Sequence, residues 1–354
     1  MAKKINVGVV GTSWIVDQFT RGAFLNGDYV LTGVAGSSKE KAVAFFDKLK
    51  DEGECADNPT LGVFDDLVND ERIDTVYIGT PNTLHFAQTM ACLEKGKNVI
   101  VEKPCFAKLE QFDAAVKKAK EKGVYLFEAI RSLYDENFTV VENRVKQMKE
   151  LTGAELLFCA YSSKYNRFLQ GEKIPAFSLD SEGGAIQDFG PYVFYTALSW
   201  FGDPKKSQYF SRKLSSGVDG KGLIVLTYDD FDVLIRISKF EESLQDSEIY
   251  GDGHTIVVHT ISLLNSVKDF DNTKPKSMSF HAEDTEPENT QLAQPRTNEN
   301  PLQDEINFFA REILGTTNHK IHCTKSYDEI TALSRKVVAL SEKLRGEAGI
   351  VFPS

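Results

Sequence analysis

Between Lys3 and Phe127 the chain repeats one pattern: a short apolar run with no polar–apolar alternation, then a stretch with helical spacing. Strand character falls on Ile5 to Val10, Tyr29 to Ala35, Thr75 to Ile78, Asn98 to Val101 and Val124 to Phe127. Helical spacing falls on Trp14 to Leu25, Lys39 to Lys50 (apolar at Ala42, Val43, Phe45 and Phe46), His85 to Leu93 and Leu109 to Lys120. A strand that is apolar throughout must be covered on both faces, which is the condition of a parallel sheet between helices. Right-handed crossovers then give a doubly wound parallel sheet of the Rossmann type.

After Ile130 the pattern changes. Asn137 to Glu150 and the aromatic-rich Gly183 to Phe201 read as helical, with a strand from Ala154 to Tyr161 between them. Strand-like runs follow at Gln208–Lys213, Lys221–Tyr228, Val233–Phe240, Ser247–Tyr250 and Thr255–Ile261, separated by turns such as Asp229-Asp230 and Gly251-Asp252-Gly253. Consecutive strands with short turns predict a mostly antiparallel sheet. Ala282 to Pro301 is polar and reads as a surface loop, and helices close the chain at Gln303–Leu314 and Tyr327–Leu344. The expected architecture is a dinucleotide-binding domain over 1–129 and an α+β domain with an open, mostly antiparallel sheet over 130–354. The second domain is assigned to the substrate and to oligomerisation.

Composition excludes several classes. A formal charge of −11 disfavours nucleic acid and anionic membrane, which both need a basic face. No apolar run approaches the ~18 residues of a membrane span, and the start of the chain passes straight into a strand, so a cytoplasmic protein is expected. Cys55, Cys92, Cys105, Cys159 and Cys323 are scattered with no C-x-x-C pair, which argues for reduced thiols and against structural zinc. His254 and His259 fall on opposite strand faces with no third ligand nearby, so no metal is expected.

The first strand-to-helix turn reads Gly11-Thr12-Ser13-Trp14-Ile15-Val16. Of the small residues in a dinucleotide fingerprint only Gly11 fits fully, although Ser13 is small enough for a pyrophosphate to approach the backbone. The helix behind it offers free N–H groups and partial positive charge. The alternative is an ordinary tight turn. At the end of the second strand stand Ser37, Ser38 and Lys39, where an NAD-specific site usually carries Asp or Glu for the ribose. These residues fit a 2′-phosphate, so NADP is favoured with NAD kept open, and a solvated Lys39 is the competing interpretation.

The fourth apolar strand runs into Glu102-Lys103-Pro104, where a doubly wound sheet places its ligands. Here the sequence resembles the glucose–fructose oxidoreductase/inositol dehydrogenase family, Gfo/Idh/MocA. The resemblance rests on Val9-Val10-Gly11-Thr12-Ser13-Trp14-Ile15, on Ile78-Gly79-Thr80-Pro81-Asn82 with His85, and on Glu94-Lys95-Gly96-Lys97 leading to Glu102-Lys103-Pro104. Glu128-Ala129 and Gly183-Gly184-Ala185-Ile186-Gln187-Asp188-Phe189-Gly190-Pro191-Tyr192 extend it. It implies hydride transfer between NAD(P) and a hydroxyl or carbonyl carbon of a sugar, cyclitol, polyol or diol. By position, Gly11, Thr12, Ser13, Trp14 and Ile15 would lie along the pyrophosphate; Thr80, Pro81, Asn82 and His85 on the ribose and nicotinamide side; Glu102 and Lys103 at the nicotinamide ribose and substrate. Tyr192 stands where many members have His, which resembles the branch of dimeric dihydrodiol dehydrogenase.

Alcohol oxidation needs a base for the hydroxyl proton, and carbonyl reduction needs the same group as acid. An unperturbed tyrosine has a pKa of about 10, and a nearby ammonium lowers such a group by roughly 1–3 units. The resemblance therefore casts Lys103 and Tyr192 as the catalytic pair, with Asp188 holding Lys103 or the substrate hydroxyl. Pro191 favours a helix that starts only near Gly190, which would leave Asp188 as a cap. Tyr192 as a core aromatic, His85 as a backbone-bonded helix residue and Cys105 as a small buried residue are the bland alternatives. Arg131, Tyr161, Lys164, Tyr165 and Arg167 are further substrate-binding candidates. An NAD-dependent glycoside hydrolase with transient oxidation and a non-catalytic dinucleotide sensor are the competing functions. A homo-oligomer, dimer or tetramer, through the second-domain sheet is expected.

Overall fold

The computed structural model describes residues 3–273, 289–293 and 300–353. Contacts divide the chain into two compact units. One runs through Tyr134 and regains the chain up to Glu342; the other holds Asp135 onward and the last residues from Lys343.

In the first unit the elements are β1 (Ile5–Val10), α1 (Trp14–Asn26), β2 (Tyr29–Ala35), α2 (Lys39–Leu49), β3 (Cys55–Gly62), α3 (Phe64–Val68), β4 (Thr75–Ile78), α4 (Asn82–Glu94), β5 (Asn98–Glu102), α5 (Leu109–Lys122), β6 (Leu126–Ala129) and α6 (Arg131–Tyr134). The six strands lie in the order β3-β2-β1-β4-β5-β6, all pairs parallel. The order reverses between β1 and β4, and a doubly wound sheet binds its ligand at that switch point. Successive side chains on a strand face opposite ways, and the packing follows. Val76, Ile78, Val99, Val101 and Leu126 pack with Cys92, Phe112 and Ala115 of α4 and α5. Tyr77 and Phe127, the residues in between, meet Phe19 of α1 and Phe309 on the opposite face.

The second unit contains α7 (Glu136–Gln147), β7 (Leu151–Cys159), α8 (Tyr165–Leu169), 3-10 turns at Pro175–Phe177 and Leu179–Ser181, α9 (Ala185–Asp188), α10 (Gly190–Phe201), β8 (Lys206–Lys213), β9 (Asp219–Thr227), β10 (Asp232–Ser238), β11 (Ser247–Gly251), β12 (His254–His259), β13 (Ser266–Asp271) and β14 (Asn289–Ala293). Its eight strands run β14-β13-β12-β11-β7-β10-β9-β8, antiparallel except for the β7–β10 pair. One face buries Ala154, Leu156, Ile224, Leu226, Val233, Ile235, Ile249 and Ile256. On the other, Phe210, Leu223 and Leu234 remain exposed.

The last helices are α11 (Gln303–Leu314) and α12 (Tyr327–Glu347). A single cut near Ile130 would leave both in the second domain. Instead α11 and the α12 stretch up to Glu342 group with the first unit. Tyr29 donates its hydroxyl to the Ile306 carbonyl at 3.1 Å, and Tyr327 packs edge-on to Tyr125. Within 282–301, taken from sequence as loop, residues 289–293 form β14; 282–288 and 294–299 lie outside the described residues.

Candidate active site

β1, β4 and β5 are neighbours, so their carboxyl ends bring Gly11, Gly79-Thr80 and Glu102-Lys103 to one edge of the sheet. Gly11 has φ 111°, and a Cβ there would lie 2.7 Å from the Gly79 carbonyl oxygen. Only glycine takes this backbone with that approach. Ser13 is the N-cap of α1, yet its side chain makes no capping bond, and Thr12, Ser13 and Trp14 are exposed, Trp14 by 64%. The first-turn N–H groups of a helix lack intrahelical acceptors. An exposed glycine-led loop in front of them suits a pyrophosphate. Ile15 is half-buried behind the loop.

At the end of β2, Ser38 is spent locally: its hydroxyl accepts from the Lys41 N–H at 3.4 Å as the N-cap of α2. Ser37 is exposed, and the Lys41 ammonium donates to its hydroxyl at 3.0 Å; Lys39 is exposed as well. Sequence reasoning missed Lys41, although its spacing, four after Ser37 in a first helical turn, was readable. Glu40, the one acidic residue here, is tied to Ser38, which lowers its pKa.

Other expected cofactor contacts are partly committed elsewhere. The Thr80 hydroxyl donates to Gln88 at 2.7 Å, exposed Pro81 caps α4, and Asn82 opens that helix half-buried. His85 is 1% exposed, with Nδ1 3.0 Å from the Pro104 carbonyl oxygen and Nε2 2.9 Å from that of Thr80. Both ring nitrogens are thus engaged by backbone, and His85 ties the Thr80 turn to the Lys103-Pro104 turn. Glu102 is also buried; it accepts from the Tyr77 hydroxyl at 2.5 Å, and burial raises its pKa. Lys103 is half-buried, and the Lys103–Pro104 bond is cis.

In the second unit the helical stretch expected from Gly183 to Phe201 breaks at Phe189. The break falls where Pro191 enters the first turn of α10, the position at which a missing N–H costs nothing. Asp188 is the last residue of α9, and its Oδ2 is paired with the ammonium of Lys239. Lys239 is 2% exposed, and its ammonium lies 5.3 Å from the Phe177 ring centroid and 5.1 Å from that of Phe189. Moving an ammonium out of water costs several kcal/mol unless it is paired. A carboxylate and two ring faces, each worth about 0.5–2 kcal/mol, offset that cost. Tyr192 is buried near the start of α10, edge-on to Phe158 at 5.2 Å. Below the segment, Asp219 Oδ2 accepts from the Ile186 N–H at 2.7 Å and from the Tyr209 hydroxyl at 2.5 Å. Burial raises the pKa of both Asp219 and Tyr209. Neither Lys239 nor Asp219 was read as functional, because nothing local links either to Asp188. Tyr161 and Arg167 are exposed, Tyr165 is half-buried in an aromatic cluster, and Arg167 pairs with Glu172. Among the described residues no group of histidine, cysteine and carboxylate side chains could hold a metal ion, and no helix is long and apolar enough to cross a membrane.

A sheet of this order, with an open glycine loop at its switch point, marks an NAD(P)-dependent oxidoreductase. Within that class the chain belongs to the Gfo/Idh/MocA family, and residues 5–130 match the model "Oxidoreductase family, NAD-binding Rossmann fold". It is 36% identical to the uncharacterized oxidoreductase YgjR of Escherichia coli over 73% of this chain and 77% of that protein. It is 29% identical to the scyllo-inositol 2-dehydrogenase (NADP(+)) IolU of Bacillus subtilis over 99% of each. Among solved structures, the 3-ketoreductase KijD10 of Actinomadura kijaniata, in complex with NADP and TDP-benzene, superposes with a TM-score of 0.77 at 18% identity, covering 97% of this chain and 98% of that one.

Proposed function

We propose that the protein interconverts a secondary alcohol and a ketone on a sugar, cyclitol or related polyol, with NADP preferred over NAD. The observation that carries this is the glycine cradle at Gly11, packed on Gly79 at the end of β4, with Lys103 following the next strand, β5, at the same edge of the sheet. Gly11, Thr12, Ser13, Trp14 and Ile15 would hold the pyrophosphate, and Ser37, Lys39 and Lys41 the adenosine side. The preference for NADP rests on the Lys41–Ser37 contact and on Glu40 being turned back to Ser38. Bound there, the nicotinamide supplies or accepts a hydride.

The remaining work falls to side chains. Lys103 supplies positive charge to the substrate oxygen, the Tyr192 hydroxyl moves the proton, and Asp188 orients the reacting hydroxyl. These are the role types that carbonyl reduction requires. The substrate role of the second unit rests on its carrying Asp188 and Tyr192. The half-open sheet of that unit supports a homo-oligomer.

A panel of inositols, aldoses and their keto derivatives, assayed with NADP and NAD at the reduced-nicotinamide absorbance, tests this reading. Lys103→Met and Tyr192→Phe should each lower kcat by about 10²-fold or more, the contribution typical of a general acid–base group. NADPH binding, followed by fluorescence, should persist in both. Full turnover by either variant would remove that residue from the mechanism.

A further inference from the structure

Lys239 has no role in the reading above, yet its surroundings are built around its charge. Its backbone is held from both sides: its N–H donates to the Gly220 carbonyl at 2.8 Å, and its carbonyl accepts from the Ser162 N–H at 2.9 Å. Its ammonium sits between the Phe177 and Phe189 rings with Asp188 as its ion-pair partner. An ammonium on a flexible stem normally stays in water. Here the stem is enclosed by the protein and the charge is directed at one partly exposed carboxylate.

The partner sits on a segment that is itself fixed. Gly184 has φ 116°, and a Cβ there would lie 2.3 Å from Asp219 Oδ1. Asp219 holds the start of α9 through the Ile186 N–H. Phe189, which covers the ammonium, stacks on Phe158 at 4.3 Å, and Phe158 also packs on Tyr192. The charged and titratable groups that act on Lys239 include Asp188 of α9 and Asp219 of β9, with Tyr209 of β8 bonded to Asp219.

We propose that Lys239 is a positioning residue for Asp188: its caged ammonium fixes the place of that carboxylate and keeps it ionised. The role rests on the reading that Asp188 serves the reaction. Lys239 itself touches neither substrate nor cofactor in this scheme. It acts through Asp188.

The test compares Lys239→Met, Lys239→Arg, Asp188→Asn and the Met/Asn double variant in the full-length protein. Aspartate ¹³Cγ NMR, with the Asp188 signal assigned by its loss in Asp188→Asn, reads the carboxylate without any substrate. The Asp188 titration midpoint should move upward in Lys239→Met, since a nearby cation favours the charged form, and stay in place in Lys239→Arg. A midpoint unmoved in Lys239→Met overturns the proposal. Turnover, with the polyol selected by the panel and NADP, is the second readout. Misplacing a reacting group costs on the order of 10²-fold, so Lys239→Met should lose kcat on that scale, with KM little changed and the acid limb of the pH profile displaced upward. The double variant should be no worse than Asp188→Asn. Additive losses would place the effect of Lys239 elsewhere and overturn the proposal. If Asp188→Asn turns over like the wild type, the reading of Asp188 itself fails. If only Lys239→Met is unimpaired, that reading stands and the positioning role fails. Should Lys239→Met not fold, Lys239→Gln, which keeps a polar head without charge, takes its place with the same expectations.

Discussion

Both ring nitrogens of His85 face carbonyl oxygens, and a neutral imidazole has a single N–H to give. The two carbonyls favour the doubly protonated ring, whereas burial disfavours its charge. Burial is the larger effect and holds the imidazole below its ordinary pKa of 6.5. The sign of the linkage follows. Below that value the unfolded chain takes up a proton that the native chain refuses, so the contribution of His85 is complete above it and is lost as pH falls. His85→Gln does not titrate, and its amide can stand in for Nε2 only, so the contact of Nδ1 with the Pro104 carbonyl is lost. It should cost about 1–3 kcal/mol at neutral pH, the scale of one unsatisfied buried carbonyl. It should also reduce the loss of stability between about pH 7.5 and pH 5.5 relative to wild type. Urea melts at both pH values check it, and an unchanged difference between the two would mean that His85 is not the group titrating.

The elements show where local sequence suffices and where it does not. The apolar strands of the first unit were legible because burial on both faces leaves no room for polar residues. β3 was not, because it lies on the sheet edge, holds Pro59 and is polar where solvent reaches it. β13 reads Ser-Val-Lys-Asp-Phe-Asp, of which only Val267 and Asp269 are buried, so its strand character comes from its neighbours β12 and β14. The return of α11 to the first sheet depends on partners far away in sequence, as with Asn26 and Asn307, bonded at 2.9 Å. The same limit hid the Asp188–Lys239 pair, 51 residues apart. The β1–α1 turn is the opposite case, since one residue type defines it. Gly11→Ala should therefore destabilise by about 1–3 kcal/mol, the usual cost of a side chain in such a backbone region. It should also weaken NADPH binding, because the Gly79 turn must move to admit the methyl group. Fluorescence titration and thermal unfolding measure the two effects. Unaltered NADPH affinity would exclude the turn as the pyrophosphate cradle.

At the scale of the whole molecule, we propose that the outward sheet face of the second unit mediates self-association. Phe210 pairs with Leu223 across β8 and β9, and Val225 with Leu234 across β9 and β10, so these side chains share one face. Phe210 is 59% exposed, Leu223 41% and Leu234 38%. Arg236 and Glu155 lie beside them on the same face, by register with Leu223 and Leu234. An apolar patch with charges of both signs at its margin is self-complementary under a two-fold axis. The net charge of −11 opposes random association of copies, so contact is favoured only where apolar area is buried. A stable dimer buries roughly 1,200–2,000 Å² in total, an area that an eight-stranded face can supply. The protein should therefore run as a dimer, or a tetramer that contains it, in light scattering at micromolar concentration. Leu234→Glu with Phe210→Glu should shift it to monomer, because two like charges would meet across the axis. The inward face of these strands would keep its core, so the thermal midpoint of the monomer should fall only by the part that association contributes. A wild-type monomer, or a double variant that still dimerises, would assign this face to solvent.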